Sequence, residues 1–243
     1  MKAIVVFKWS RNPVDARVGT DGSVDWRGVR LAASEDDPAA IEIAKALAEG
    51  DDIVGLTMGD GDVAWAAARG AARTVVIEDA ATELNSLATG AALAAAVRHC
   101  GDADVVIAGD SSWDYAVVSA LMGELGWTAV AGVIAAEAAQ GGLRVTRKKG
   151  SLYEVLEVGL PAVLGAVATR AEENVPGMKD VLAARKKPVE RVTLADLAPS
   201  SAAALESRGT RFPGTAAARM IDGADPAAAS EELLAALRAD GVL

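Results

Sequence analysis

The chain has one cysteine, Cys100, which excludes an internal disulfide framework. It also has one histidine, His99, so a Cys/His zinc cluster is excluded as well. Aromatic residues make up 4% of the chain, leaving few large anchors for a core. Long apolar runs are missing too. Ala3–Phe7 spans five residues, too few for a signal-peptide core or a membrane span. Thr128 to Ala136 is nine residues long, with Glu124 and Glu137 on either side. Basic residues are the minority: 24 Lys and Arg face 34 Asp and Glu, for a formal charge of -10. That balance argues against nucleic acid as the main ligand and against an anionic membrane surface. The chain reads as a cytoplasmic protein with no direct membrane insertion. There is no Gly-x-Gly-x-x-Gly after the first strand, no Walker-type lysine loop and no Gly-x-Ser-x-Gly elbow.

What is present is apolar and fine-grained. Hydrophobic residues, mostly Ala, Val and Leu, are 51% of 243 residues, enough for a substantial core. Ala3–Phe7 reads as a buried strand, and an excursion follows with a hairpin around Asp21-Gly22. Asp37-Pro38 opens a helix, with Asp37 as N-cap and Pro38 at the first helical position. Strand, turn and helix then alternate. Ile53–Thr57, Thr74–Ile77 and Val105–Ala108 are strands. Val63–Arg69, Ser86 to Cys100 and Tyr115–Leu125 are helices. This rhythm predicts an α/β fold with a doubly wound, mostly parallel sheet of nucleotide-binding, Rossmann-like type. Four β-rich runs from Ala129 to Val167 predict a small antiparallel addition. Met178–Ala184 is a short helix, with cations Arg185-Lys186-Lys187 placed to complement its dipole. The composition shifts to Ala, Ser and Pro near Leu197. The expected organisation is a domain over 1–197 and a linker with a C-terminal arm over 198–243. The arm's helix, from about Pro226 to Ala239, would dock on a partner.

A parallel sheet places ligands outside the carboxyl ends of its strands, where strand order reverses. Lys8-Trp9-Ser10, Thr57-Met58-Gly59-Asp60 and Gly109 to Ser119 fall there. The last runs from a strand into a helix through Gly, Ser and Asp, and free N–H groups at a helix start favour an anion. Asp110 and Asp114 oppose phosphate unless they bind ribose hydroxyls or cap the helix. From the residues alone, an ordinary capped turn is the simpler reading of this segment. Asp36-Asp37, Asp51-Asp52 and Glu172-Glu173 read as solvated turns or helix starts. Arg147-Lys148-Lys149 reads as a solvated loop, and His99 as a helix-terminal residue with a packed neighbour. Trp9, Trp26 and Trp113 read more readily as plugs between loop and core than as stacking platforms. No catalytic acid, base or nucleophile and no metal site stands out.

Several segments, in order, resemble the β subunit of electron transfer flavoprotein over nearly the whole chain. Val6-Phe7-Lys8 is similar to that family's first strand, and Asp21-Gly22-Ser23-Val24-Asp25 to its hairpin. Asp37 with Ala40-Ile41-Glu42 resembles its helix opening, and Leu56-Thr57-Met58-Gly59 its Thr-Met-Gly turn. The block from Val145 to Ala166, with Glu154 and Leu160-Pro161-Ala162-Val163, resembles its signature segment. Pro176-Gly177-Met178-Lys179 through Lys186-Lys187-Pro188 resembles its Met-Lys…Lys-Lys-Pro run. Gly109-Asp110-Ser111-Ser112-Trp113-Asp114-Tyr115-Ala116 resembles the Fix-type branch. Val117, Val118 and Ser119 depart from the usual Gln, Val or Thr, and Gly. Ser34-Glu35 stands where Asn-Pro is usual.

The resemblance implies a heterodimeric electron carrier. An α subunit would hold the redox-active FAD, and this chain AMP or a second FAD. The cofactor pocket would comprise Phe7, Lys8, Trp9, Asp37, Thr57, Met58 and Gly59, together with Gly109, Asp110, Ser111, Asp114, Tyr115, Ala116, Val117, Val118 and Ser119. Main-chain N–H groups of Ala116 to Ser119 would meet phosphate, and Lys8 would offset its charge. Glu173-Asn174-Val175-Pro176 would correspond to the dehydrogenase-recognition loop, with Val175 as its anchor. Electrons would pass from an acyl-CoA-type or related flavin dehydrogenase to a quinone reductase or another acceptor. A non-redox adenine-nucleotide-binding sensor or regulatory domain of similar fold is the alternative.

Overall fold

The computed structural model describes residues 1–59, 61–80, 85–110, 116–169, 175–200, 208–214 and 218–243. They divide into two compact units: Met1–Arg17 with Val24–Arg208, and Val18–Ser23 with Gly209–Leu243.

In the first unit, β1 (Ala3–Val6) is followed by the two-residue strands β2 (Ser10–Arg11), β3 (Arg17–Val18, which runs to the unit's edge), β4 (Val24–Asp25) and β5 (Leu31–Ala32). The helix α1 (Asp37–Leu47), strand β6 (Ile53–Met58), helix α2 (Trp65–Ala68), strand β7 (Arg73–Ile77) and helix α3 (Ser86–His99) come next. Then follow β8 (Val105–Gly109), α4 (Ala116–Leu125), β9 (Thr128–Ala139), β10 (Gly142–Lys149), β11 (Leu152–Gly159) and β12 (Ala162–Ala166). The unit continues with α5 (Met178–Ala184), β13 (Val189–Val192) and α6 (Leu194–Leu197).

Nine strands form one sheet in the order β11-β10-β9-β12-β8-β1-β6-β7-β13. Pairings from β9 across to β13 are parallel. Those of β10 with β9 and β11 are antiparallel. The expected doubly wound α/β sheet with a small antiparallel addition is therefore present. From β1 the chain moves outward through β6 and β7, then returns to place β8 on the other side of β1. Strand order thus reverses between β1 and β8.

Both sheet faces are covered, so the central strands are apolar throughout. Along β1, Ala3, Val5 and Phe7 join the core under α1 and α2. Ile4 and Val6 join the core under α3 and α4. Small residues set the helix spacing: a Cβ on Gly90 would lie 2.5 Å from the Ala120 Cβ, so α3 and α4 meet almost backbone to backbone.

Several expectations change. Arg147-Lys148-Lys149 is the end of β10, not a loop. Its charges are answered across the strand, where Arg147 pairs with Glu154 at 2.6 Å. The helix expected over Val63–Arg69 is only four residues long, Trp65–Ala68. The polar-looking Val189–Val192 forms an edge strand beside β7. Lys187 does not serve the dipole of its own helix: its ammonium donates to the carbonyls of Ala67 and Ala71, at 3.0 and 2.6 Å. It thereby closes the end of α2.

In the second unit, a turn centres on Asp21-Gly22. The Gly19 N–H donates to the Ser23 carbonyl at 2.8 Å. Gly22 has φ +82, and a side chain there would meet the Arg211–Phe212 backbone. The helix α7 (Pro226–Ala239) is capped by Asp225. No described helix is long and apolar enough to cross a membrane.

Candidate functional site

The reversal of strand order brings the carboxyl ends of β1, β6 and β8 together, and a cavity of about 120 Å³ opens there. That is several times the ~30 Å³ share of one water, so the space suits part of an organic ligand. Its walls are largely apolar: Val6, Phe7, Met58, Ala80, Leu93, Ala108, Val117 and Val118. Lys8, Trp9, Ser10, Asp37, Thr89 and Gly109 complete the lining. An apolar pocket with a few convergent polar groups at a switch point is the usual form of a small-ligand site.

Of the residues expected at the pocket, Phe7, Lys8, Trp9, Asp37, Met58, Gly109, Val117 and Val118 line this cavity. Thr57 is fully buried within β6. Gly59, with φ +74, continues the sheet by donating to the Ile77 carbonyl at 2.9 Å. Asp110 turns away from the cavity: its carboxylate accepts the Gly132 N–H at 3.0 Å. Ala116 and Ser119 begin α4 without lining the cavity, and Ser119 is exposed. Ser111, Asp114 and Tyr115 lie outside the described residues, as do Ser112, Trp113 and Asp60. Val175 is 79% exposed, whereas Glu173 and Asn174 lie outside the described residues.

Asp37 departs most from its sequence reading. Asp36 and Asp37 are not solvated; they are 7% and 1% exposed. Asp37 is also not the N-cap, because helical geometry already includes it. Its Oδ2 accepts the Ser34 N–H at 3.0 Å, and the Ser34 Oγ accepts the Asp37 N–H at 3.2 Å. This is the reciprocal pattern of a capping box, and Ser34-x-x-Asp37 carries that signature in the sequence. The same Oδ2 accepts the Lys8 N–H at 3.1 Å, which ties the end of β1 to the start of α1. Burial pushes the Asp37 carboxyl up to about 6, against the opposing pull of the Lys8 N–H and charge. Burial also raises Asp36, opposed by the N–H that Ala168 donates at 2.7 Å, while the Glu35 and Asp110 charges push it further up. Gly109 makes room for the pair: a Cβ there would lie 2.7 Å from Asp37 Oδ1 and 3.0 Å from Ser34 Oγ.

Trp9, Phe7 and Trp65 pack as plugs. The Trp9 indole N–H donates to the Asp62 carbonyl at 3.2 Å, and its ring fills the space a Cβ on Gly61 would need. The Phe7 ring stacks on Trp65 at 5.3 Å, with the Arg69 guanidinium 4.1 Å from the Trp65 ring centre. Sequence reading missed Ser34, Ala80, Thr89, Leu93 and this Trp65–Arg69 layer, whereas Ser10 belongs to the Lys8-Trp9-Ser10 loop already expected at the site. Ser34 alone carried a local signal. His99 ends α3 and shares Glu190 with Arg73, both at 2.7 Å, at the amino end of β7 and not among the residues lining the cavity. Among the described residues no cluster of His, Cys, Asp and Glu could hold a metal ion.

Residues 24–197 match the family model described as the electron transfer flavoprotein domain. The match includes α1, β6, α3, β8 and α4, which supply most of the cavity, and begins after β1 and the segment that follows it, which supplies Phe7, Lys8 and Trp9.

Proposed function

The chain belongs to the electron transfer flavoprotein domain family, and from that premise we propose that it is a β-type subunit of the Fix-type branch. In this reading it pairs with an α-type subunit that carries the redox-active FAD. The cavity between β1 and β8 holds AMP or a second FAD. The observation that carries the reading is the convergence of Phe7-Lys8-Trp9, Met58 and Gly109 on one apolar cavity at the strand-order reversal.

The residues suit a nucleotide. Phe7, Leu93 and Val118 offer apolar faces to a ring system, and Lys8 supplies positive charge at the cavity. Gly109, with no side chain, lets the Ser34 and Asp37 side chains pack beside the cavity. A flavin bound in the complex supplies the redox chemistry, and this chain binds, orients and shields. The apolar walls exclude water, and the Lys8 N–H bond to Asp37 holds the β1 loop against α1. The exposed Val175 fits a recognition loop for a flavin dehydrogenase. Electrons then leave towards a quinone reductase or another acceptor. The exposed Phe212, Met220, Leu233 and Leu234 suit an arm that docks on the α-type subunit.

Co-expression with an α-type subunit tests this. The expected result is a complex with flavin absorbance that releases AMP or additional FAD on denaturation. A chain that purifies alone, with neither flavin nor nucleotide under native conditions, refutes the reading.

A further inference from the structure

Among the described residues, four buried side-chain atoms have no hydrogen-bond partner: Asp37 Oδ1, Thr57 Oγ1, Arg69 Nε and Thr74 Oγ1. Of these residues only Asp37 lines the cavity at the strand-order reversal. Its Oδ2 already accepts two backbone N–H bonds, from Ser34 and Lys8. Its Oδ1 faces Gly109, another lining residue. A buried carboxylate oxygen without a donor is costly, and below about pH 6 the carboxyl answers by holding a proton. A neutral ligand group with an N–H or O–H at Oδ1 would remove that cost.

We propose that nucleotide binding in this cavity displaces a proton from Asp37, because an N–H or O–H of the ligand takes up Oδ1. The step breaks only the carboxyl O–H bond. The proton leaves to solvent, the carboxylate keeps the electron pair, and the ligand's own N–H or O–H stays intact while donating. The inference rests on the cavity being the nucleotide site, and it adds a proton linkage to that site.

The surrounding charges fit this exchange. Lys8, from the end of β1, favours the carboxylate. Arg69, after α2, also feels the Asp37 charge. Asp36 on the same helix end and Asp110 after β8 are mutually repelling carboxylates. Two N–H bonds on Oδ2 hold the group in place through the change.

AMP binding to the purified full-length protein, in its native complex, tests the linkage. Affinity should tighten roughly tenfold from about pH 5 to about pH 7, as expected when a ligand favours the ionised form of a group that titrates between them. The second phosphate ionisation of AMP lies near pH 6, so the Asp37→Asn variant provides the comparison. It should bind at the weak acid-side level and lack the Asp37 part of the slope. Calorimetry of the wild type with adenosine, which has no phosphate, should show proton release on binding near pH 5 and none well above pH 7. That measurement stands even if Asp37→Asn fails to fold. IMP in place of AMP identifies the donor: loss of the slope assigns an exocyclic amino group, and its retention assigns a ribose hydroxyl. Wild-type binding with no proton release, or an Asp37→Asn variant with the full wild-type slope, overturns the proposal alone. A wild type that binds none of these compounds at any pH overturns the nucleotide-site reading with it.

Discussion

Asp37 shows how one residue's surroundings move its titration. In water an aspartate is ionised at neutral pH, yet here burial moves its carboxyl from 3.8 to about 6. Folding therefore favours the protonated form, and this group's contribution is complete below the unfolded value. It declines as pH rises through the folded value. Between about pH 4 and pH 7 the nucleotide-free wild type should lose roughly 2.5 kcal/mol of stability relative to Asp37→Asn. Urea denaturation of both proteins at the two pH values measures this. A difference that stays constant, or changes in the opposite sense, refutes the assignment. The sequence concealed the effect because an Asp-Asp pair before a helix usually faces solvent. Here Gly109, about seventy residues away, leaves the room that lets it turn inward.

At the scale of elements, the strands and helices with strong periodicity were legible, and the short ones were not. β1, β6, α3 and α7 carry their signals locally. β13 has only four residues and exposes Glu190 and Arg191, so its strand character comes from pairing with β7. The helix α2 ends after four residues and takes its closure from Lys187. Lys187→Met leaves two partly buried carbonyls without that cation. It should cost about 1–2 kcal/mol, the usual worth of a charge-assisted bond at a helix end. Thermal denaturation would show a lower midpoint with the circular dichroism of the folded protein unchanged. A variant as stable as the wild type would mean that solvent serves those carbonyls equally well.

The whole molecule joins an α/β unit to a smaller one with many exposed apolar side chains, among them Phe212, Met220 and Leu233. Exposed apolar groups in such number suit a surface that a partner covers. On the proposed heterodimer reading, a chain truncated after Arg208 should therefore keep the circular dichroism of the α/β unit and lose retention of an α-type subunit in pull-down. A truncated chain that still holds the partner would move the docking surface to the first unit.

The sequence by itself determined the α/β class, the order of the major elements, the loops at the carboxyl ends of β1, β6 and β8, and the family resemblance. These depend on local periodicity, turn residues and ordered motifs, which are properties of neighbouring residues. Tertiary structure alone decided the strand order, and with it which loops converge. It also decided that Asp110 turns to Gly132 while Asp37 faces the cavity, and that Lys187 serves α2. The physical reason is that burial and hydrogen-bond partners come from residues distant in the chain. A carboxyl in low dielectric and one in water are identical in sequence, yet between about pH 4 and pH 6 the first keeps its proton and the second loses it.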